Sequence, residues 1–558
     1  MIKRFQKQHW RMILWPMILL FFLANCELFS VPIENELDRI ESVEELESAA
    51  NGLVALLKET VSSSQYFYLN RNANDLTHGV WSYNEYYQLL MNFNCFKQDQ
   101  FGTAEYDYTW ESMYRIITSA NNIFYKVNVE RETDQEYRAI LGEVAMIRAY
   151  AYFRLTRTYG RIPIVKDVDV SFNVGLSSYD EVYQAIVDDL ALAFQLLPES
   201  LEQSRIPYET PHRGMAKAVL AEVYLSWAGY PANNIDKYEL ATSTAREMID
   251  SAAVYGMGLM DDFAQLWDQE HRMNKESVYT LYYTPVDQID ELANLQVAYN
   301  SGKNSYYRGE ALFDYTSEYG LTTFRVLIMN GLTVSPDLLL MPHAFWGCQM
   351  KFYNDYPASY RKDITFFNKP YFPDLDGLYA DTGYVYIDKV SSACIRLVYR
   401  KFFYDPYYDT RNATLENMGS EKDLFGDQKI YLFRYAQTLL TYAEASARSG
   451  QLNDFSYECL NKVRRRAHHV DLNSSSEFDL QAGLSAQAFA DSVVQERLLE
   501  MAAETESGWF DLLRLGRIPD LPSMREKGEG TFMDLAPDFF LPKPASDILL
   551  NPNLADGE

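Results

Sequence analysis

The chain of 558 residues has only five cysteines and seven histidines. No C-x-x-C pair, no His-x-x-x-His and no Cys/His cluster occurs, so the sequence lacks the ligand spacings of a transition-metal site. It also lacks a Gly-rich phosphate loop, a G-x-S-x-G elbow and a dinucleotide fingerprint, so no cofactor or metal is expected. Basic residues are scarce, 50 against 78 acidic, for a formal net charge of −28. Without clustered Lys and Arg to neutralise phosphates, nucleic acid is excluded as a partner, and anionic surfaces would repel the chain. Beyond residue 24 no apolar run is long enough to span a bilayer.

Apolar character is concentrated at the start. Residues 1–11 carry Lys3, Arg4, Lys7 and Arg11 with no acidic residue, and Met12 to Ala24 run 13 residues without a charge. A basic segment followed by a short apolar one is the pattern of a secretory signal. It falls short of the ~20 residues a spanning helix needs, and Pro16 opposes such a helix. Leu23-Ala24-Asn25-Cys26 is similar to a bacterial lipobox, in which cleavage precedes a cysteine that then receives lipid. Asn25 departs from the small residue usual there, and an ordinary signal peptide with an incidental cysteine is the plainer alternative. Residues 1–25 are thus expected as a lipoprotein signal peptide and 26–41 as a tether behind lipidated Cys26, anchored to a membrane without crossing it. In an exported chain Cys95, Cys348, Cys394 and Cys459 could oxidise in three full pairings. Cys459 stands at helical spacing with Leu460 and Val463, which reads as a buried thiol.

The whole chain is 47% hydrophobic and 15% aromatic, enough for a large core, and tyrosine is abundant at 43 residues. Ser42-Val-Glu-Glu45 is a capping box followed by a stripe at Leu46, Ala49, Ala50, Leu53 and Leu57. Ile140, Val144, Ile147, Ala151, Leu155 and Tyr159 predict a helix over 134–159, stopped by Gly160 and Pro163. Ser178-Tyr-Asp-Glu181 opens another that ends at Pro198. Helix pairs are predicted at 212–229 with 236–251 and at 428–449 with 456–467, and a last helical stretch at 486–515. Small residues at helix contacts with Tyr between pairs suggest irregular tetratricopeptide-like repeats. Two regions break the pattern. Residues 66–108, rich in Asn, Gly, Asp and aromatics, read as loops with short turns before a helix resumes at Trp110, and residues 271–424, rich in Pro, Gly, Asn and aromatics, read as loops with some short strands. The expected fold is mainly α: a helical-repeat scaffold with a large loop-rich subdomain. Loops on a rigid scaffold are where binding residues concentrate.

Several stretches, in order along the chain, resemble the SusD/RagB family of outer-membrane lipoproteins. "GEVAMIRAYAYFRLTRTYGRIPIV" (142–165) resembles the family's long helix with its R-A-Y-x-Y-F core, and "YDEVYQAIVDDLALAFQLLP" (179–198) the helix after it. "RGMAKAVLAEVYLSWAGYP" (213–231), "RYAQTLLTYAEASARSG" (434–450) and "LNKVRRRA" (460–467) resemble its repeat helices. "ERLLEMAAE" (496–504), "WFDLLRLG" (509–516) and "FFLPKPASDILLNPNL" (539–554) resemble its C-terminal motifs. Gln437 stands where an acidic residue is usual, and Thr505-Glu-Ser-Gly508 replaces a shorter Gly-x-Arg.

The resemblance implies a division into 42–270 (N-terminal helical region), 271–424 (ligand-binding subdomain) and 425–558 (C-terminal helical region). It implies a surface-exposed, lipid-anchored outer-membrane protein that is not an enzyme. Such proteins capture oligosaccharide, or peptide in RagB-like members, and cap a SusC-like TonB-dependent transporter. The helical side would face the transporter and the loops the nutrient.

Sugar binding needs flat aromatic faces and polar side chains in an open site. Asp75, His78, Trp81, Tyr83, Asn84, Tyr86 and Tyr87 in the first loop region, and Tyr306, Tyr307, Arg308 and Trp346 in the second, are the candidates. Packing within the loops is the alternative role for each. Trp110, Trp227, Trp267 and Trp509 read as core, and Arg148, Arg157, Arg464 and Arg514 as partners in ion pairs between helices. Glu496, Glu500 and Glu504 share a helical face. Glycosidase carboxylates stand ~5–9.5 Å apart across a cleft, so on a packed helix these three are expected in salt bridges. A surface glycoside hydrolase and a pure docking scaffold are the remaining alternatives.

Overall fold

The computed structural model describes residues 39–62, 77–79, 104–127, 133–166, 173–283, 346–367, 398–401, 428–518 and 539–555, apart from positions 269, 349, 400, 503, 505 and 507; at 62, 77–79, 104–106, 346–351, 367, 398–399 and 428 it describes backbone alone. The signal segment, Cys26, Cys95 and Cys394 lie outside these residues.

In chain order the first helices are α1 (Val43–Ser62), α2 (Ala104–Lys126), α3 (Gln135–Tyr159), α4 (Tyr179–Leu196), α5 (Arg213–Ala228) and α6 (Lys237–Asp250). The short strand β1 (Thr77–Gly79) falls between α1 and α2. β2 (Ser277–Tyr283), β3 (Trp346–Cys348), the short helices α7 (Met350–Asp355) and α8 (Tyr360–Thr365), β4 (Phe366–Phe367), β5 (Val398–Tyr399) and β6 (Gln428–Arg434) follow. The chain then returns to helix in α9 (Tyr435–Arg448), α10 (Asp454–Ala467), α11 (Ala486–Glu500), α12 (Trp509–Arg514) and α13 (Ala545–Leu550). The protein is mainly α, as its periodicity predicts.

The helices stack. α1 packs on α2 and α3, α2 on α3, α3 on α4, α4 on α5, and α5 on α6. α6 then packs on α9, across the whole interruption in sequence, and α9 on α10 and α11. α3 lies at the centre. Asp134 caps it by accepting from the Glu136 and Tyr137 N–H groups, and Gly160, at φ 74°, ends it with its N–H on the Thr156 carbonyl. The predicted stripe of α3 is buried, and so are Ala145 and Ala149 on its other faces, because it has neighbours all round. Both predicted capping boxes are present, at Ser42/Glu45 and Ser178/Glu181. Gly229, which follows α5, sits so close to the Arg514 carbonyl oxygen that an added Cβ would overlap it.

Three boundaries differ from the sequence reading. Residues 428–434 are a strand, antiparallel to β2, rather than the start of the helix at 435. Ile430, Tyr431, Leu432 and Phe433 are all buried, and an apolar run buried on both faces shows no period by which to tell strand from helix. The stretch 486–515 is two helices, α11 and α12, separated near Glu504 and Glu506. α2 begins at Ala104, ahead of Trp110. Trp110, Trp227 and Trp509 are core, Cys459 is a buried free thiol, and Trp267 is only partly buried.

Candidate functional site

Of the eleven candidate ligand residues, Asp75, Trp81, Tyr83, Asn84, Tyr86, Tyr87, Tyr306, Tyr307 and Arg308 lie outside the described residues. His78 and Trp346 are described in backbone only. Their two strands form an antiparallel ladder in which Thr77 pairs with Cys348, His78 with Gly347 and Gly79 with Trp346. Two loop regions far apart in sequence are therefore joined through their main chains at the positions that carry candidates from each.

The roots of the two regions also meet. The second region leaves the scaffold after β2 and returns at β6, and Tyr283 and Gln428 are register partners at that point. The Tyr283 hydroxyl donates to the Lys58 carbonyl at 3.0 Å, in the last turns of α1, just before the first region begins. β2 reads Ser-Val-Tyr-Thr-Leu-Tyr-Tyr, a β-branched and aromatic sequence suited to a buried strand, and every residue of it is buried.

Between its ends the second region is fixed to the scaffold by buried side chains. Ser359 caps α8 by accepting from the Lys362 N–H. From α8, Arg361 pairs with Glu496 at 2.8 Å and Glu500 at 2.7 Å. The Tyr356 hydroxyl donates to the Leu499 carbonyl at 2.9 Å, and the Tyr360 hydroxyl to Asp262 at 2.7 Å. Phe366 packs edge-on against Phe352, Tyr353 and Tyr356, and its strand pairs with β5. Two residues beyond β5, the Lys401 ammonium donates to Glu504 at 2.7 Å.

These anchors end in a buried ionic cluster. Arg434 donates through Nε and Nη2 to both oxygens of Glu504 (2.7 and 2.9 Å), and through Nη1 to Glu276 at 2.6 Å and Glu500 at 3.0 Å. Arg466 donates to Glu276 and, at 2.7 Å, to Glu500. Burial alone would raise the Glu500 carboxyl, but Arg466, Arg434 and Arg361 around it hold it well below the usual carboxylate range. Burial lowers Lys401 to about 8 against the opposing pull of Glu504. Glu496, Glu500 and Glu504 are thus each committed to cations, as expected, although only Glu496 and Glu500 share a helical face and Glu504 lies beyond the end of α11. Arg148 pairs with Asp189, Arg464 with Glu496 and Arg514 with Glu444, and Arg157 finds Glu506. Sequence reasoning did not single out Arg361, Lys401 or Arg434. The signal available was a charged residue inside an otherwise apolar or aromatic run, as in "YLFRYA".

Among the described residues no group of three or more His, Cys, Asp and Glu side chains is arranged to hold a metal ion, and no helix is long and apolar enough to cross a membrane.

A stack of helices whose two intervening segments are rooted together and tied through a shared ladder defines a helical-repeat scaffold with a long insertion. Two family models match the chain. One, described as starch-binding and associating with outer membrane, covers residues 31–225, and the other, the SusD family, covers 396–554. The SusD-like protein P2 of Formosa agariphila is 26% identical over 455 residues, 80% of this chain and 78% of its own. A SusD-like protein of Bacteroides ovatus is 23% identical over 80% of this chain and 79% of its own. Among solved structures, a SusD homolog from Bacteroides thetaiotaomicron superposes with a TM-score of 0.69 at 22% identity, over 93% of this chain and 97% of that one. A laminarin-binding SusD-like protein gives 0.62 at 19%, over 93% and 99%. The chain belongs to the SusD/RagB family.

Proposed function

We propose that the protein is a cell-surface lipoprotein, held in the outer membrane through Cys26, that captures an oligosaccharide and delivers it to a SusC-like TonB-dependent transporter. The ladder between 77–79 and 346–348 carries this reading. It joins the two regions richest in candidate stacking and hydrogen-bonding side chains, on a scaffold of a family whose model description includes starch binding at the outer membrane. The ligand groups are Asp75, His78, Trp81, Tyr83, Asn84, Tyr86 and Tyr87 from one region and Tyr306, Tyr307, Arg308 and Trp346 from the other. Aromatic faces stack on the apolar side of a pyranose while polar side chains bond its hydroxyls. The reading is of a binding protein and not an enzyme: Glu496, Glu500 and Glu504 are occupied by buried arginines and a lysine. An open site removes little ligand surface from water, so affinity is modest.

Affinity gel electrophoresis of the soluble chain starting after Cys26, run through host, plant and microbial polysaccharides with Trp81→Ala beside it, tests the reading. Retardation by one polysaccharide that is lost in the variant is expected. Retardation that survives the substitution moves the site toward 271–424. If no glycan retards the protein, the oligosaccharide reading fails, and the net charge of −28 favours cationic peptides as the ligand.

A further inference from the structure

Where α1, α3 and β2 meet, the connection 205–211 closes over a cavity of about 260 Å³. Its walls include Val54 and Leu57 of α1, Ile147 of α3, and Tyr279, Leu281 and Tyr282 of β2. One side is polar. Glu143, 3% exposed, is bonded by Arg205 through Nη2 at 3.0 Å and Nε at 3.4 Å, while Arg205 Nη1 holds Glu47. Burial raises the Glu143 carboxyl, and Arg205 opposes that rise. The guanidinium is thus held between two carboxylates and fixes one wall. Lys58, Arg205, Glu143 and Glu209 stand around the space, with Glu47 behind Arg205.

Three further groups line the cavity. The side chains of Asn51 and Glu209 are exposed at its mouth and make no hydrogen bond within the described residues. Thr280 Oγ1 is buried beside the Tyr282 hydroxyl without forming a hydrogen bond of ordinary geometry. The connection overhead is held in a costly shape. Tyr208 has φ 70°, and Thr210 Oγ1 both accepts from the Ile206 N–H at 3.0 Å and donates to the Ile206 carbonyl at 3.1 Å. Non-glycine residues in this conformation persist only where the surroundings enforce them, and they cluster at ligand clamps.

We propose that this cavity is a binding site for one neutral, pyranose-sized polyol, distinct from the loop regions. The volume is below the roughly 300–1,000 Å³ of pockets that take drug-sized ligands, which suits a single ring. The lining mixes charges of both signs, with Glu47 as a further acid on Arg205, so it presents no cluster of one sign to recruit an ion. Flat tyrosine and aliphatic walls meet the C–H face of a sugar ring, while Asn51, Glu209 and Thr280 offer donors and acceptors to its hydroxyls. The site does not depend on the oligosaccharide reading.

Saturation-transfer NMR and calorimetry on the soluble chain, with glucose, galactose, mannose and N-acetylglucosamine against glucuronate and glucosamine, test the proposal. At least one neutral sugar is expected to bind and the charged ones to bind more weakly. Ala55→Phe, which fills the space from α1, is expected to weaken binding by about tenfold or more, roughly the loss of one good contact. Thr280→Val, nearly isosteric, is expected to weaken it several-fold and serves if the larger side chain disturbs folding, which a thermal melt reveals. Failure of every neutral sugar to bind, or binding unchanged in both variants, overturns the proposal. Equal loss in Trp81→Ala also overturns it, by assigning the sugar to the loops. Polysaccharide retardation failing while cavity binding persists would instead overturn the loop reading alone.

Discussion

Arg434 is wholly buried, and its guanidinium meets Glu276, Glu500 and Glu504. Removing it leaves carboxylates without their cation where water cannot replace it. Arg434→Met is therefore expected to destabilise the soluble chain by about 3–5 kcal/mol, read as a lower urea midpoint. Arg434→Lys should recover little, because an ammonium cannot reproduce the two-pronged bond to Glu504; full recovery would show that charge alone matters. At this scale the sequence was partly legible. Arg148, Arg464 and Arg514 were placed in ion pairs between helices by their position in scaffold motifs, and each has its acidic partner. The departure at Thr505–Gly508 shows what pattern alone could not reveal. It supplies Glu506, which is buried and accepts from the Tyr150 hydroxyl at 2.7 Å and from Arg154 and Arg157 on α3. Gln437, where the family usually has an acid, still serves locally, its side-chain oxygen accepting from the Arg434 N–H at 2.8 Å. The candidate ligand residues are legible as types, but their geometry depends on long segments whose spacing carries no period.

Between elements, close approach decides. α5 ends at Gly229, against the Arg514 carbonyl, and the Tyr230 N–H donates to that same oxygen at 2.7 Å. Backbone cannot swing aside as a side-chain tip can. Gly229→Ala is thus expected to cost about 1–3 kcal/mol and to lower the melting temperature, whereas Gly52→Ala, on α1 with nothing within 4 Å of the added Cβ, is expected to melt at or slightly above wild type. Equal melting of the two variants would contradict the packing described. α1, α3 and α4 were readable from local signals: a capping box and apolar stripe for α1, a stripe with Gly160 as a stop for α3, and a capping box with Pro198 as a stop for α4. β6 was not, since burial on both faces erases the alternation that marks a strand. The break between α11 and α12 was hidden because Glu504 and Glu506 are drawn inward by cations from elsewhere in the chain, a tertiary cause with no local signature.

For the whole molecule, the buried carboxylates set the response to acid. Although burial alone would raise it, Glu444 is lowered to about 2, chiefly by Arg514, and Glu500 and Glu504 are lowered by their own cations. Unfolded, these groups take up protons near pH 4.5, and folded they do so only at lower pH. Below pH 4.5 the unfolded chain binds more protons, so stability is present above that pH and falls as pH drops toward 2. Melting temperatures of the soluble chain should be nearly level from pH 7 to 5 and then decline steeply, and a level curve down to pH 3 would refute the assignment. The closure of β2 on β6 has a different consequence, which concerns inheritance. A segment that departs and returns through adjoining register partners can lengthen or shorten with little effect on the stack, since each doubling of a closing loop costs only about 0.6 kcal/mol. Between fixed points at Arg361 and Lys401 its content can be rewritten while the helices keep their order. The inserted segment can therefore change faster than the architecture: under the proposed capture function, one frame grafted with different segments would serve different ligands.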